Sequence, residues 1–339
     1  MDLNLIWFLL VGILIVGYSV LDGFDLGVGS LYFFLGKTAD EKKVLTHSID
    51  PFWHSNEVWL LTGGGALFAA FPLVYASAFS AFYLPLFLVL FALIARAVAI
   101  EYKVKAGERS GLQKALEIAF SLGSFLPALL YGVAMGNVAR GIPLDGAQNY
   151  TGTFFQLLNP YALVFGLLGL SAFLLQGSAY LGFKTEGDLQ KRAQRTALKI
   201  WLVFLILYLG ATLFSYLSTP QLFANYLQYP ILLLIPALSW LLTLLTGHLL
   251  RYKPGSKGFL ASSAALGLMI LTLAVGMFPN LLPATNPNGS LNIYNAASSP
   301  LTLKIMLIVV CIGLPFVLLY TVYLYYVFHG KAKADAGGY

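Results

Sequence analysis

Long apolar runs separated by short polar connections set the rhythm of this chain. Nine of them are long enough to cross a membrane: about 4–35, 56–78, 80–102, 112–138, 156–182, 198–218, 229–250, 258–281 and 302–328. At 1.5 Å per helical residue, each approaches or exceeds the ~30 Å of a hydrocarbon core. Lipid offers the backbone no hydrogen bonds, so these runs are predicted as α-helices. The segments 139–155 and 279–301 are irregular, the latter carrying Pro279, Pro283, Asn286, Pro287, Asn288 and Gly289. Both are too short to fold as domains.

Composition agrees with this pattern. The 339 residues are 59% hydrophobic and 10% charged, with mean hydropathy +0.79. A soluble domain would carry about 25% charged residues. The expectation is one integral membrane domain over 1–339, all-α and polytopic. The first run, about 30 residues, exceeds the 7–15 of a signal-peptide core, so it is expected to stay as a helix. Cys311 is the one cysteine, which leaves no internal disulfide and no cysteine-held iron–sulfur cluster.

Basic residues alternate sharply between connections. Lys37, Lys42 and Lys43 fill the first; Lys103, Lys105, Arg109 and Lys114 the third; Lys184, Lys191, Arg192, Arg195 and Lys199 the fifth. Arg251, Lys253 and Lys257 fill the seventh, and Lys331 and Lys333 the tail. That places 17 of the 20 basic residues on one side. The positive-inside rule then puts the N-terminus outside and the C-terminus in the cytoplasm. The net charge of +6 is read as membrane orientation, not nucleic-acid binding. Similar Gly/Tyr/Phe-rich ends of the first and fifth helices (Asp22-Gly23-Phe24-Asp25-Leu26-Gly27 and Gly177-Ser178-Ala179-Tyr180-Leu181-Gly182-Phe183) suggest two four-helix units, 1–138 and 156–281. The helix 302–328 is then a ninth, peripheral one.

Charge inside a membrane is costly, at least roughly 2.5–3.5 kcal/mol for a carboxylate at a helix centre. Asp22 and Asp25 nevertheless interrupt the first run, three residues apart and on one helix face. Gly23-x-x-x-Gly27 beside them permits close backbone packing. Counted from Leu5, Asp22 lies roughly 25 Å from the outer end, and Arg96, counted from Ser80, about 24 Å. Arg96 is therefore the expected counter-ion of Asp22 or Asp25. Glu101, Glu57, His54 and Glu117 lie nearer the cytoplasmic surface. Two interpretations stay open: a salt-bridge network locking helices one to three, and an internal proton site fed from the cytoplasm.

Other residues are read more plainly. Trp53 and Trp59 fit an interfacial aromatic belt. Asn56 is a candidate N-cap of the second helix, with Glu57 in its first turn. Gly63-Gly64-Gly65 is expected to be a close-packing surface. His47, His54, His248 and His329 lie in loops or at helix ends, which argues against axial haem ligation by this chain. Met135, Met269, Met277 and Met306 are expected as core filler. No Walker loop, dinucleotide glycine signature or metal-ligand spacing occurs.

Several stretches resemble subunit II of cytochrome bd quinol oxidase: Gly17-Tyr18-x-x-Leu21-Asp22-Gly23-Phe24-Asp25-Leu26-Gly27-Val28-Gly29, Asn56-Glu57-Val58-Trp59-Leu60-x-x-Gly63-Gly64-Gly65-Ala66-Leu67-Phe68-Ala69-Ala70-Phe71-Pro72, Arg96-x-x-x-Ile100-Glu101-Tyr102-Lys103, Phe154-Phe155-Gln156-Leu157-Leu158-Asn159-Pro160 and Met277-Phe278-Pro279. The resemblance spans nearly the whole chain in family order. It implies a bacterial or archaeal plasma-membrane subunit of a quinol:O2 oxidoreductase, paired with a subunit I that carries two haem b, one haem d and the quinol site. It leaves room for a small single-helix accessory subunit and for bound lipid. It implies that Asp25 and Arg96 matter for activity and that cytoplasm-facing acids lead protons toward the oxygen-reducing haem. From their shared depth, Asp22, Glu57, Glu101 and His54 are expected to extend that path. The family usually has an acid and then glycine after the matching tryptophan, where this chain has His54 and Ser55; histidine can relay protons near neutral pH. Rival functions are a proton-coupled transporter, disfavoured because no matched pair of Gly/Pro-broken helices is evident, and a purely structural subunit.

Overall fold

The computed structural model describes residues 2–103, 111–286 and 289–334; Lys105, Arg109, Pro287 and Asn288 fall outside them. The described chain is built of α1 (Leu3–Ser30), α2 (Tyr32–Leu35), α3 (Ala39–Ile49), α4 (Trp53–Ala70), α5 (Pro72–Ala81), α6 (Tyr83–Lys103) and α7 (Gly111–Arg140). It continues with α8 (Pro160–Lys184), α9 (Gly187–Ser218), α10 (Ala224–Gln228), α11 (Leu234–Tyr252), α12 (Ser256–Met277) and α13 (Pro300–Val327). Eight of the helical segments are long and apolar enough to span a bilayer: α1, α6, α7, α8, α9, Pro230–Tyr252 (which includes α11), α12 and α13. This is an all-helical, polytopic membrane fold.

The run 56–78 departs from the expected single helix. It breaks at Phe71, whose φ of −135° and ψ of 66° lie outside the helical region, and Pro72 starts α5 without an N–H to continue the ladder. The polar first turn of α4, His54-Ser55-Asn56-Glu57, keeps it out of the eight. Its 18 residues still extend about 27 Å. The chain also breaks between α9 and α11, where Pro220 and Pro230 each open a 3₁₀ turn. Only the break at Phe71–Pro72 interrupts a run expected to be one helix; the other falls at the connection expected between 198–218 and 229–250. Both lie at helix ends, not at mid-helix.

Local chemistry fixes the helix starts. Asp2 Oδ1 accepts from Asn4 N at 3.0 Å, Thr38 and Glu41 form a capping box for α3, and Asn159 caps α8 ahead of Pro160. Asn56, in contrast, is no cap: α4 already begins at Trp53.

Glycine decides how close the helices come. A Cβ on Gly27 would lie 1.9 Å from the Phe173 carbonyl oxygen, and one on Gly177 would lie 2.5 Å from the Gly27 carbonyl carbon. Thus α1 and α8 cross backbone to backbone, the mode small residues permit inside bilayers. Gly123 of α7 meets α6 in the same way: a Cβ there would lie 2.6 Å from Ala92 O and 3.0 Å from Arg96 Cβ. The triple glycine behaves otherwise. Gly64 and Gly65 face open space, and Gly63 meets only Leu14 at 3.7 Å, so the expected close packing does not occur within this chain.

At the end carrying the lysine-rich connections, the basic end, Arg192 of α9 pairs with Glu41 and donates to Leu35 O at 3.1 Å. At the opposite, neutral end, β1 (Asn280–Leu282) pairs with β2 (Leu291–Asn292), and Ile142 bridges to Ala284. The outlying α13 is fastened near its two ends. Trp7 Nε1 donates to Leu303 O at 3.0 Å, and Tyr325 stacks on Phe52 at 4.6 Å. Between these, α13, α1 and α4 frame an apolar groove of about 510 Å³.

Gly27→Ala should lower the thermal midpoint and the yield of the detergent-purified protein, because overpacking costs roughly 1–3 kcal/mol. Gly210→Ala, which meets nothing within 4 Å, should be neutral or slightly stabilising. Size-exclusion thermostability assays check both, and a Gly27→Ala protein melting like wild type would contradict the close crossing.

Candidate functional site

Two helices, α1 and α6, bring the charges of Asp22, Asp25 and Arg96 together. Arg96 Nη2 of α6 donates to Asp22 Oδ1 of α1 at 3.2 Å, with side chains 1% and 0% exposed. The shared depth inferred along the sequence is thus realised as a direct ion pair, and the counter-ion is that of Asp22. Asp25 is equally buried but makes a different bond: Asn56 Nδ2 donates to Asp25 Oδ2 at 2.8 Å. The same amide donates to Leu21 O at 3.0 Å, which locks α4 onto α1. From α13, the Tyr325 hydroxyl donates to Asn56 Oδ1 at 3.3 Å.

This cluster retains unused capacity. Asp22 Oδ2, Asp25 Oδ1, Arg96 Nε and Arg96 Nη1 have no protein partner among the described residues. Burying charge is costly unless it is paired and hydrogen-bonded, so one guanidinium between two acids is under tension. Ser19 on the same helix hydrogen-bonds the Tyr131 hydroxyl at 2.6 Å, and Tyr18 packs edge-on to the Tyr131 ring at 5.8 Å.

The other candidates lie closer to the basic end. Glu57 is half-buried and forms no ion pair among the described residues. His54 and Glu101 are exposed and approach to 3.6 Å, with the His54 ring stacked on Trp53 at 3.6 Å. Asp50, at the C-cap of α3, was not singled out from sequence. Burial pushes its carboxyl above the usual range; Glu101 adds to this, while His47, His54 and Lys103 oppose it.

A second cluster also escaped the sequence. Lys42 Nζ contacts Glu117 Oε2 at 2.6 Å, and the Tyr32 hydroxyl donates to Glu117 Oε1 at 3.1 Å. Lys103 Nζ donates to the Tyr32 hydroxyl at 3.1 Å and to Thr46 Oγ1. Its ammonium also lies over the Tyr32 ring at 4.3 Å, a cation–π contact. Arg96 and Lys103 are seven residues apart on α6, so they share a face with a rise of roughly 10 Å between them. The signal that could have found this cluster is a lysine and an acid, Lys103 and Glu117, flanking one short connection, each of which bonds to Tyr32. None of the four histidines is buried, and no group of three His, Cys, Asp or Glu suited to a metal ion occurs among the described residues.

Comparison with known proteins accounts for nearly all of the chain. Residues 3–328 match the family model described as cytochrome bd terminal oxidase subunit II. The cytochrome bd-I ubiquinol oxidase subunit 2 of Escherichia coli K12 is 39% identical, covering 98% of this chain and 96% of that protein. The cytochrome bd ubiquinol oxidase subunit 2 of Bacillus subtilis is 34% identical over 98% of this chain and 97% of its own length. A chain of the bd oxidase from Geobacillus thermodenitrificans has the same fold, with TM-score 0.78 at 16% identity, over 97% of this chain and 99% of that one. By sequence and by architecture, this chain belongs to the cytochrome bd terminal oxidase subunit II family.

Proposed function

We propose that this chain is the haem-free half of a quinol:O2 oxidoreductase in a bacterial or archaeal plasma membrane. It would scaffold a haem-bearing subunit I and deliver cytoplasmic protons toward O2 reduction. Quinol gives up electrons and protons, the protons leaving on the outer side; O2 takes electrons and cytoplasmic protons to become water. The haems, two b-type and one d-type, supply the electron and oxygen chemistry from subunit I. This chain's own histidines sit at surfaces and helix ends, so its part is protonic.

In this proposal α4 makes the ninth crossing, the N-terminus is outside, and the basic end faces the cytoplasm. The first four-helix unit then holds every intramembrane charge. Protons would be gathered at Asp50, His54 and Glu101, pass Glu57, and reach Asp25 and Asp22. Arg96 would hold Asp22 in place through their ion pair, while Asn56 orients Asp25. The Lys42–Glu117–Tyr32–Lys103 cluster offers a second approach from the same side. The open triple-glycine face of α4 suits close approach by a helix of subunit I. The single observation that carries the proposal is the buried Asp22–Arg96 pair beside Asp25–Asn56, open in hydrogen-bonding capacity and flanked by titratable groups toward the basic end.

Asp25→Asn should assemble with normal haem content yet consume O2 at least about tenfold more slowly, since a positioned proton carrier is worth 10²–10⁴ in rate. An oxygen electrode with excess quinol reads this, and wild-type turnover would refute the relay. Arg96→Leu should destabilise the complex by roughly 3–5 kcal/mol, because it strands two buried carboxylates. Combining it with Asp22→Asn should recover part of that loss; strictly additive losses would show that the two groups are uncoupled.

Asp50 gives a pH test. Its carboxyl lies above its ordinary range in the folded protein, so its stabilising share is fully present below the unfolded value of about 3.9. That share is lost as pH rises through the folded value. Asp50→Asn should therefore raise the melting midpoint at neutral pH, with the gain fading below about pH 4. A gain that is the same at both pH values would contradict the assignment.

A further inference from the structure

Where α7 ends at the neutral end, a cavity of about 310 Å³ opens. Its walls are held by backbone bonds between two irregular segments. Gly141 adopts φ 90°, turning the chain directly after Arg140. Ile142 N then donates to Pro283 O at 3.0 Å, and Thr285 N donates back to Ile142 O at 3.0 Å. A conformation with positive φ suits glycine and strains other residues.

The lining divides by chemistry. Asn137 and Asn159 are committed to the fold: Asn137 Nδ2 donates to Leu157 O at 2.8 Å and Asn159 Nδ2 to Asn137 Oδ1 at 2.9 Å. The Tyr150 hydroxyl donates to Thr153 O at 3.0 Å. Three donors on the lining are left over. The Arg140 guanidinium, the Gln156 amide nitrogen and the Thr285 hydroxyl make no hydrogen bond or ion pair among the described residues. No carboxylate lines the cavity. All three are exposed, so water can serve them in the free protein. An anion that displaced this water would meet a cation with no counter-ion and two further donors.

Position narrows the anion. Arg140 is one of two basic residues on the connections at this end, the other being Lys304, so a general positive field does not explain it. The cavity lies where helices end at the membrane surface, and exposed Phe155 stands on its rim. One and two turns into α8 from Asn159, Leu163 and Leu167 are also exposed. Spaced four apart, they make an apolar strip leading from the cavity down the helix. A free anion has no use for such a strip, whereas an acyl chain would lie along it.

We propose that this cavity binds the phosphodiester headgroup of a phospholipid in the leaflet at the neutral end. Arg140 grips the phosphate, Gln156 and Thr285 donate to its oxygens, and an acyl chain follows Leu163 and Leu167. The site depends on the membrane fold and not on the proton path, so either can fail without the other.

The test uses the purified complex with subunit I, delipidated in detergent and titrated with dioleoylphosphatidylglycerol under native mass spectrometry. Wild type should retain one more phosphatidylglycerol than Arg140→Gln, whose apparent affinity should fall at least about tenfold, the loss expected for a charge-assisted contact. Thr285→Val should show a smaller loss, and Lys304→Gln should match wild type. If Arg140→Gln does not assemble, Thr285→Val carries the test. Unchanged retention in both Arg140→Gln and Thr285→Val would overturn the proposal. So would millimolar inorganic phosphate binding in an Arg140-dependent way while phosphatidylglycerol does not, because the ligand would then be the free anion.

Discussion

One ion pair, Arg96 with Asp22, constrains everything around it. Away from bulk solvent, the desolvation cost of two charges is offset only when geometry is good and the remaining polar capacity finds partners. Here a second carboxylate, Asp25, is fixed three residues away without an ion pair of its own, held by the Asn56 amide. The structure meets this demand with helix proximity. Gly123 lets α7 press on α6 at Arg96, and Gly27 and Gly177 let α8 press on α1 beside Asp25. A side chain at any of these glycines would move a charged group relative to its partner. The glycines of the opening motif and its acids are therefore one device: the first set the distances at which the second can be tolerated.

Much of this was legible from sequence because depth in a membrane is nearly a matter of counting. The rise per residue and the alternation of basic loops placed Asp22 and Arg96 at one level, and they meet. What counting could not supply was rotation about each helix axis. Asn56 resembled an N-cap by its place ahead of an apolar run, yet α4 starts three residues earlier and turns that amide inward to Asp25. Lys103 and Glu117 looked like ordinary ends of adjacent helices; their link through Tyr32 depends on α2 and α3 folding back over them. Asp50 was hidden for a similar reason, since nothing in a loop sequence tells that α3 will half-bury it. The triple glycine reads in sequence as a close-packing surface, yet a Cβ at Gly64 or Gly65 would meet nothing within 4 Å among the described residues.

The second half of the bundle is packed by similar means but filled with uncharged polar groups. Ser263 donates to Gln176 Oε1 at 3.1 Å, the Tyr208 hydroxyl donates to Ser239 at 3.1 Å, and Tyr161 meets Ser215 at 2.8 Å. Such bonds hold helices together without offering a site that changes charge. Interhelical bonds of this kind contribute on the order of 0.6 kcal/mol each in membranes, so they add cohesion in small steps. The contrast indicates that the charges of the first half are not a general requirement of helix packing in this fold.

The two ends of the molecule differ in the same sense. Every ion pair named here, Lys42–Glu117, Arg192–Glu41, His54–Glu101 and Arg96–Asp22, lies at or toward the basic end. The part of α1 between Leu3 and Gly17 carries no acid or base, nor does α6 before Arg96 apart from Tyr83. Toward the neutral end from Asp22, α1 offers only the hydroxyls of Tyr18 and Ser19, the latter bonded to Tyr131 at 2.6 Å. A second hydrogen-bonded direction is sideways, from Asp25 through Asn56 to Tyr325 on the peripheral α13. Under the proposed function, a path that loads from the basic end and hands over laterally through Asn56 and Tyr325 would suit a subunit that supplies a neighbour's chemistry, whereas a transporter would have to pass an ion between both sides.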